Sequence, residues 1–472
     1  MRTALVLAFG ILLASTTRVQ QPPSPPNILV IVADDWSYPH AAAYGDTVVK
    51  TPTFDRIARE GVLFRNTYAA APSCTPSRAS LLTGRPVHRL EEGGNLWGFL
   101  PPKFTVYPDL LEAAGYTVGF TRKGWGPGDF KAGGRTRNPA GNQFPSFAEF
   151  YKQAPKNTPF YFWFGSQDPH RPYDEGSGAR SGMQPADVKV PAFLPDTPVT
   201  RSDILDYYFE VQRVDREAGE IIAMLESAGQ LDNTIVVFTS DNGMPFPRAK
   251  ANLYDGGTHV PLAVRFPKKV KAGRTIDDFV VLTDLAPTLL EAAGLKPPLE
   301  MTGRTLMPLL QGQQQPGRDR VFLERERHAQ VRRGDLGYPA RAIRTKDFLY
   351  IRNFRAERWP AGDPDMYVSV GPFGDIDGGP TKELLLQRRD DPALVRYFNL
   401  ATAKRPAEEL YDLRKDPQQI ENVASKPGYS GAKTVLQTAL QNWMRETGDP
   451  RAAANTDPWD RYPYFGPAGR DR

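Results

Sequence analysis

Short apolar runs alternate with segments of helical periodicity over the first two thirds of the chain. Residues 27–33 (NILVIVA), 160–164 (FYFWF) and 234–239 (TIVVFT) are almost wholly apolar or β-branched, which is typical of strands buried on both faces. A further strand is predicted over 116–121. Helices are predicted over 53–60, 77–83, 108–114, 204–228 and 283–293, and the last three end at a glycine. This alternation predicts an α/β fold with a large, mostly parallel mixed sheet flanked by helices.

The pattern changes after residues 303–312. Residues 321–324 and 341–353 alternate as half-exposed strands do, and 432–446 has the periodicity of a closing helix. We therefore divide the chain into a larger domain over 27–315 and a smaller C-terminal α+β subdomain, with a small antiparallel sheet, over 316–472.

The first twenty residues have the pattern of a secretory signal peptide. An arginine near the start precedes an apolar run over 4–14, and small and polar residues follow. The run is too short for a membrane span, and a buried N-terminal strand is the alternative. Residues 21–26 are proline-rich and are predicted to be a linker. We therefore expect an exported protein, in a periplasmic, secreted or lysosome-like compartment, without a membrane span.

Composition is that of an ordinary globular protein. The chain has 472 residues, of which 40% are hydrophobic and 24% charged, and its 45 prolines and 41 glycines indicate many ordered loops. The formal net charge is +5, a mild excess that suits a polyanionic substrate and is equally explained by scattered surface charges. We expect no nucleic-acid partner.

Polar side chains follow three of the predicted strands. Asp34 and Asp35 end the first, Asp168 and His170 follow the second, and Asp241-Asn242 follows the third. Because ligands bind at the carboxyl ends of strands in open α/β sheets, these groups are expected to converge. Two of these pairs, Asp34-Asp35 and Asp241-Asn242, offer four oxygen donors that suit Ca²⁺ or Mg²⁺ rather than zinc. A solvated turn or a helix cap is the alternative for each pair.

The chain contains one cysteine, Cys74, which cannot form an internal disulfide. It is a spare thiol, a buried small hydrophobe or a reactive group. A helix predicted just after it would place it near a helix N-terminus, which favours anions. Its surroundings, residues 74–85 (CTPSRASLLTGR), favour the reactive alternative.

These segments resemble the sulfatase family. Residues 74–85 resemble its nucleophile signature, and 27–35 its opening strand with a metal-binding Asp-Asp pair. Segments 167–172 (QDPHRP), 239–243 (TSDNG) and 410–413 (LYDL, followed by 416–417 and Asn422) resemble further family motifs in the family's order. The resemblance implies an alkaline-phosphatase-like fold with 27–315 as catalytic domain. It also implies that a formylglycine-generating enzyme oxidises Cys74 to formylglycine, whose hydrate is the nucleophile.

Within the family, the heparan N-sulfatase (sulfamidase) branch is the most similar. Residues 238–247 (FTSDNGMPFP), Lys250 with 252–254, 168–171 and 190–198 resemble that branch. The resemblance implies a sulfuric ester or sulfamate hydrolase acting on a sulfated mono- or oligosaccharide. Membership of the sulfamidase branch would imply one particular activity, the N-sulfoglucosamine sulfohydrolase activity of heparan sulfate degradation.

The family motifs imply a role for each matching residue. One divalent cation, Ca²⁺, would be bound by the following side chains: Asp34, Asp35, Asp241, Asn242 and the modified Cys74. Arg78 would hold the hydrate and the charge on the metal side. Lys123 and Lys250 would contact sulfate oxygens as point charges, and His170 would protonate or stabilise the leaving nitrogen or oxygen.

One segment departs from the family pattern. The family has Gly-Lys-x-His where this chain has Arg-Lys-Gly-Trp, so that Trp125 stands at the position of a second active-site histidine. Another histidine would then assist sulfate release, with His40, His88 and His259 nearest to the motifs and His328 far from any. Trp125 could instead form a wall on which a sugar stacks.

Two other functions remain open on the sequence. A metal-dependent phosphatase or phosphodiesterase of the same superfold would need more His and Asp ligands after Asp241. A glycan-binding relative without activity would be consistent with the Trp125 departure. Sugar contacts are expected in loops such as 90–104, 129–145 and 355–390.

Overall fold

The computed structural model describes residues 25–454 and 456–471. The predicted signal peptide (1–20) and residues 21–24 of the predicted linker lie outside the described residues. Among the helices of the described part, none is long and apolar enough to cross a membrane.

A mixed sheet of eight strands organises the larger part of the chain. The strands are β1 (Asn27–Ala33), β2 (Val62–Tyr68), β3 (Thr117–Arg122), β4 (Asn142–Gln143), β5 (Phe160–Gly165), β6 (Thr234–Ser240), β7 (Leu262–Arg265) and β8 (Arg274–Val281). Their spatial order is β4-β3-β5-β1-β6-β7-β2-β8, and only the pairings of β7 with β6 and β2 are antiparallel. The predicted mostly parallel sheet is confirmed.

Helices cover both faces of this sheet. They are α1 (Pro52–Glu60), α2 (Cys74–Thr83), α3 (Tyr107–Ala113), α4 (Phe147–Gln153), α5 (Ser177–Arg180), α6 (Pro198–Ser227), α7 (Asp255–Thr258), α8 (Leu285–Ala292) and α9 (Met307–Leu310). The predicted helices are found, with α2 and α6 beginning earlier than expected. In α6, Pro198 occupies the first turn and Thr197 accepts a hydrogen bond from the Thr200 backbone, which sets its start.

The central strand β1 shows why its sequence is continuously apolar. Ile28, Val30 and Val32 belong to one hydrophobic core, whereas Leu29 and Ile31 belong to the core on the opposite face. Successive side chains of a strand point to opposite faces. Burial on both faces therefore requires an apolar residue at every position, as the pattern predicted.

A smaller antiparallel sheet follows in the C-terminal part. Its strands, in the order β13-β11-β10-β9, are β9 (Arg320–Arg325), β10 (Ala340–Thr345), β11 (Phe348–Asn353) and β13 (Glu408–Asp412). Strands β12 (Met366–Tyr367) and β14 (Arg470–Asp471) form a separate pair, and the helices are α10 (Pro380–Gln387), α11 (Val395–Thr402) and α12 (Ser430–Glu446).

The expectation that these C-terminal strands are half-exposed is wrong. On one face Ala342 and Ile351 pack with Tyr68 of the larger sheet. On the other face Ile343 and Tyr350 pack with the closing helix α12. Because both faces are covered, the alternation in the sequence separates two cores rather than a core and solvent.

Candidate active site

The carboxyl ends of four adjacent strands meet at one edge of the large sheet. The strands β3, β5, β1 and β6 lie side by side, and each is parallel to its neighbour. The segments that leave these ends carry Lys123, His170, Asp34 with Asp35, and Asp241 with Asn242. The predicted convergence of the strand ends is therefore found.

Glycine at the end of β5 allows the ends of β3 and β5 to approach closely. A Cβ atom on Gly165 would overlap the Lys123 carbonyl oxygen, and the Lys123 backbone donates to the Gly165 carbonyl at 3.0 Å. A larger residue at position 165 would move Lys123 away from the other strand ends.

Three carboxylates and the cysteine form a buried cluster. One ligand atom from each of Asp34, Asp35, Asp241 and Cys74 lies within 4.8 Å of the others. Successive strand residues normally face opposite sides, but Asp35 has a φ of 78°. This left-handed conformation turns the chain just after the strand and allows both aspartates to join one cluster.

The donor set fits a hard divalent cation. It consists of carboxylate oxygens and the side-chain oxygen of Asn242. The Asn242 side chain is held beside the cluster by its Nδ2, which donates to Asp35 Oδ1 at 2.6 Å. The Asn242 side-chain oxygen is buried and has no hydrogen-bond partner among the described residues. A buried oxygen without a donor is costly, and a bound cation beside the carboxylates would satisfy it.

Cys74 is the first residue of α2 and is fully enclosed. Its Sγ lies 3.5 Å from Asp34 Oδ1. Burial raises the pKa of the Cys74 thiol well above its ordinary value, although Lys123 and Lys250 act in the opposite direction. An unmodified Cys74 is therefore held as a thiol rather than as a reactive thiolate.

Arg78 lies on the next turn of α2 and connects three parts of the site. Its Nε donates to Asp241 Oδ2 at 2.7 Å, and its Nη1 donates to the carbonyls of Lys123 and Gly124 at 2.9 and 2.8 Å. The side chain is fully buried. Its contacts fix Asp241 and the segment after β3 relative to the cysteine helix.

Two lysines are paired with the two adjacent aspartates. Lys123 Nζ lies 2.7 and 2.6 Å from the Asp34 oxygens, and Lys250 Nζ lies 2.7 Å from Asp35 Oδ2. Burial alone would raise the pKa of Asp34, but Lys123, His170, Arg78 and Lys250 together outweigh it and the pKa is lowered. For Asp35 burial prevails and raises the pKa to about 6. The ammonium groups thus offset the charge of closely spaced carboxylates.

His170 faces the cluster from its open side. Its Nδ1 lies 2.6 Å from the Arg171 carbonyl oxygen and its Nε2 lies 3.9 Å from Asp35 Oδ2, with 36% of the side chain exposed. Because a carbonyl only accepts, Nδ1 carries the proton of that hydrogen bond. Nε2 is left facing the cluster, where it can exchange a proton with a bound molecule.

Asp168 does not join the cluster, contrary to the expectation that it would converge with the other strand-end groups. Arg213 of α6 donates to both Asp168 oxygens at 2.7 and 2.6 Å. This bidentate pair draws the carboxylate toward the helix. The segment after β5 therefore contributes His170 and not Asp168.

Two residues of the C-terminal part reach the site and were not predicted there. Asp377 Oδ2 lies 3.1 Å from Lys250 Nζ. His328 Nδ1 lies 2.8 Å from the Ser73 hydroxyl, directly before Cys74, so His328 is far from the motifs in sequence but not in space. Asp377 does fall within the loop 355–390, where sugar contacts were expected, but no residue pattern singled it out.

The other three histidines lie in structural contacts. His40 contacts Asp46 and Tyr208, and His88 contacts Glu324 at 2.7 Å. His259 contacts the Arg65 carbonyl. Each of these rings already has a structural partner, and His328 is the histidine that touches the residue next to Cys74.

Trp125 does not form a sugar-stacking wall, so that expectation is wrong. Only 4% of the residue is exposed, and its ring belongs to the core on the α2 face of the sheet. Asn138 fixes its backbone by accepting from the Trp125 amide and donating to its carbonyl, both at 2.9 Å. The segment after Lys123 turns inward, and the large apolar ring fills the interior.

Comparisons with known proteins agree with this geometry. The family model Sulfatase matches residues 26–295, and the model N-sulphoglucosamine sulphohydrolase, C-terminal, matches residues 248–363. The chain is 31% identical to N-sulphoglucosamine sulphohydrolase of Homo sapiens over 91% of this chain and 92% of that protein. It is 28% identical to an ulvan-active sulfatase of Formosa agariphila over 90% and 76%.

Solved structures share the fold at lower identity. A protein in complex with its substrate D-glucosamine-2-N,6-O-disulfate has a TM-score of 0.65 and 19% identity, covering 90% of this chain and 99% of that one. A phosphonate monoester hydrolase of Agrobacterium radiobacter has a TM-score of 0.67 and 20% identity, covering 89% and 96%. The expected alkaline-phosphatase-like architecture is therefore confirmed.

Proposed function

The chain belongs to the sulfatase family and is a sulfuric ester or sulfamate hydrolase, and we propose that it removes the N-linked sulfate of N-sulfated glucosamine, free or in a heparan-type oligosaccharide. The observation that carries the proposal is the similarity to human N-sulphoglucosamine sulphohydrolase over nearly the whole length of both chains. The C-terminal family model supports it further, because residues 248–363 include Lys250 and His328 at the site.

Formylglycine at position 74 is part of this proposal. The formylglycine-generating enzyme would oxidise Cys74 before or during folding, since the folded chain buries the thiol. The high pKa of that thiol supports a modified nucleophile, because an unmodified Cys74 would rarely be ionised. The hydrated aldehyde would supply an oxygen nucleophile at the centre of the carboxylate cluster.

A single Ca²⁺ ion would be held by Asp34, Asp35, Asp241 and Asn242 together with residue 74. Carboxylate and amide oxygens are the ligands that Ca²⁺ prefers, and the buried Asn242 oxygen without a donor supports this assignment. When bound, the ion offsets negative charge on the sulfate and on the nucleophile.

The remaining charged residues position the sulfate. Lys123 pairs with Asp34, and Lys250 pairs with Asp35. Their ammonium groups can therefore contact two sides of a sulfate bound between them. Arg78 fixes Asp241 and stabilises negative charge on the cation side. Because these charged side chains are already in position, they can stabilise negative charge that develops in the transition state without having to move during the reaction.

His170 would serve the leaving group. Hydrolysis converts R–NH–SO₃⁻ and water into R–NH₃⁺ and SO₄²⁻, so the N–S bond breaks, the nitrogen keeps the electron pair and takes up protons. The Arg171 carbonyl orients the imidazole through Nδ1, and Nε2 faces the cluster from the open side. His170 can therefore deliver a proton to the departing nitrogen.

We also propose a compartment for the protein and a role for each domain. Residues 1–20 would direct export. Residues 27–315 would carry the nucleophile, the cation ligands and the lysines, and residues 316–472 would close the open side of the site through Asp377.

Substrate assays test this function. Enzyme from a host with the formylglycine-generating enzyme should release sulfate from N-sulfoglucosamine with a kcat/KM at least tenfold above that for glucosamine 6-sulfate. Peptide mass spectrometry should find formylglycine at position 74. Cleavage of O-sulfate alone would reject the sulfamidase assignment, and an active enzyme with unmodified cysteine throughout would reject the nucleophile.

A further inference from the structure

Asp377 enters the site from the C-terminal part of the chain, on the segment between β12 and α10. One ligand atom each of Asp377, Asp35 and His170 lie within 4.8 Å of one another. The Asp377 side chain is 20% exposed, so it borders the open side of the cluster, as His170 does. Asp377 and His170 therefore flank the same region, where the leaving group of a bound sulfamate or sulfate would lie.

The neighbouring residues hold this segment in place. Asp375 accepts hydrogen bonds from Arg325 and Arg332 at 2.9 and 2.5 Å. Lys382 of α10 donates to the Ile376 carbonyl at 2.7 Å. These buried contacts fix the backbone directly before Asp377, so its carboxylate is positioned in advance of any ligand.

A carboxylate at this place is unfavourable for sulfate binding alone. It cannot donate a hydrogen bond to a sulfate oxygen, and it repels the anion. Lys250 Nζ donates to Asp35 Oδ2 and forms an ion pair with Asp377 Oδ2 at 3.1 Å. A carboxylate has about four acceptor sites, and the Asp377 side chain is partly exposed. The carboxylate therefore has acceptor capacity for a donor on the substrate.

We propose that Asp377 binds the amino nitrogen of the glucosamine and thereby determines specificity for N-linked over O-linked sulfate. This inference rests on the proposed function. A sulfamate nitrogen carries a hydrogen that Asp377 can accept, whereas the bridging oxygen of a sulfate ester has none. After the N–S bond breaks and the nitrogen has taken up protons, the product is an ammonium group, which pairs with the carboxylate. The interaction of Asp377 with the nitrogen therefore becomes stronger as the reaction proceeds, which favours cleavage of the N-linked substrate.

The test compares wild type and Asp377→Asn in the calcium-loaded, formylglycine-containing enzyme. The amide retains the shape but loses the charge, so kcat/KM for N-sulfoglucosamine should fall about tenfold to a hundredfold, as expected for a charge-assisted hydrogen bond. The value for glucosamine 6-sulfate should change less than threefold. Asp390→Asn is the matched control, because Asp390 is an exposed aspartate outside the site.

Calorimetric titration with unsulfated sugars separates this inference from the proposed function. Glucosamine should bind at least tenfold more weakly to Asp377→Asn than to wild type, and glucose should bind both equally. An equal loss for both sugars, or for N- and O-sulfated substrates, would overturn the inference in favour of a hydroxyl contact or a structural role. Asp377-dependent binding of glucosamine by an enzyme that cleaves only O-sulfates would uphold the contact between Asp377 and the amino group, but it would reject the proposed function and with it the role of Asp377 in N-sulfate specificity.

Discussion

Lys123 Nζ lies 2.7 and 2.6 Å from the two carboxylate oxygens of Asp34. The ammonium group comes from the end of β3 and the carboxylate from the end of β1, with β5 between them. The pair shows how the parallel sheet assembles the site, because neighbouring strands deliver charged groups to a common edge. It also makes Lys123 part of both the stability and the chemistry of the cluster.

Replacement of Lys123 by alanine should therefore have two effects. We expect kcat/KM to fall at least a hundredfold, because a charge that contacts the sulfate is lost. In a calcium chelator we also expect the unfolding free energy to fall by about 3 kcal/mol, since Asp34 loses the partner of a buried ion pair. Added Ca²⁺ should recover most of this stability by pairing with Asp34.

The control for this variant is Lys103→Ala. Lys103 forms an exposed pair with Glu91, so its loss should change the unfolding free energy by less than about 0.5 kcal/mol. Chemical denaturation with and without Ca²⁺ gives the stabilities. A Lys123→Ala enzyme with kcat/KM within threefold of wild type would contradict the assigned role.

Replacement of Cys74 by alanine should abolish turnover and leave the fold intact. In the unmodified protein the thiol is buried and its Sγ lies 3.5 Å from Asp34 Oδ1, so relative to that protein the variant loses one sulfur atom and a weak hydrogen bond. We expect a stability change of about 1 kcal/mol and no sulfate release above background. Thermal unfolding and a sulfate-release assay check both, and measurable turnover by Cys74→Ala would disprove a nucleophile at this position.

Acid should destabilise the protein through His259. Burial lowers the pKa of His259 to about 4, whereas the unfolded chain titrates near its ordinary value of about 6.5. The unfolded state therefore binds more protons between these values, and stability falls as the pH drops from about 6.5 to 4. A shift of this size corresponds to about 3 kcal/mol.

The variant His259→Gln tests this titration. Glutamine can still donate to the Arg65 carbonyl that His259 contacts at 2.7 Å, but it takes up no proton. Urea unfolding at a series of pH values should show a shallower loss of stability for the variant below pH 6.5. Part of the slope should remain, because burial also lowers the pKa of His328 to about 4. Identical slopes for the two proteins would refute the assignment.

The sequence predicted the parts of the site that follow directly from strands. Buried strands have a continuous apolar pattern. The polar residue after such a run lies at the edge of the sheet, and this location follows from the local sequence without knowledge of tertiary packing. Asp34, Asp241 and His170 could be located in this way. Asp168 could not be separated from them, because its partner Arg213 lies on a helix whose position relative to β5 is set by tertiary packing.

The contributions of the C-terminal part could not be predicted. His328 contacts Ser73 across 255 residues of sequence, and no local pattern encodes that approach. Asp377 lies in an irregular segment where an aspartate ordinarily indicates a turn. Their positions depend on how the smaller sheet packs on the larger one through Tyr68 and its neighbours, which hydrophobic periodicity does not specify.

Trp125 provides a test of how this chain completes the reaction without a histidine at that position. The indole is buried in an apolar core, and its Nε1 has no hydrogen-bond partner among the described residues. Trp125→Phe should therefore retain kcat within about threefold, because only an unpaired N–H and some packing are lost.

Trp125→His should lose about 3 kcal/mol of unfolding free energy, since it leaves a cavity and buries a polar ring, and it should not raise kcat. Chemical denaturation gives the unfolding free energy of the two variants, and a sulfate-release assay gives their kcat. A higher kcat for Trp125→His would mean that the imidazole can turn toward Cys74 and that tryptophan at this position limits sulfate release.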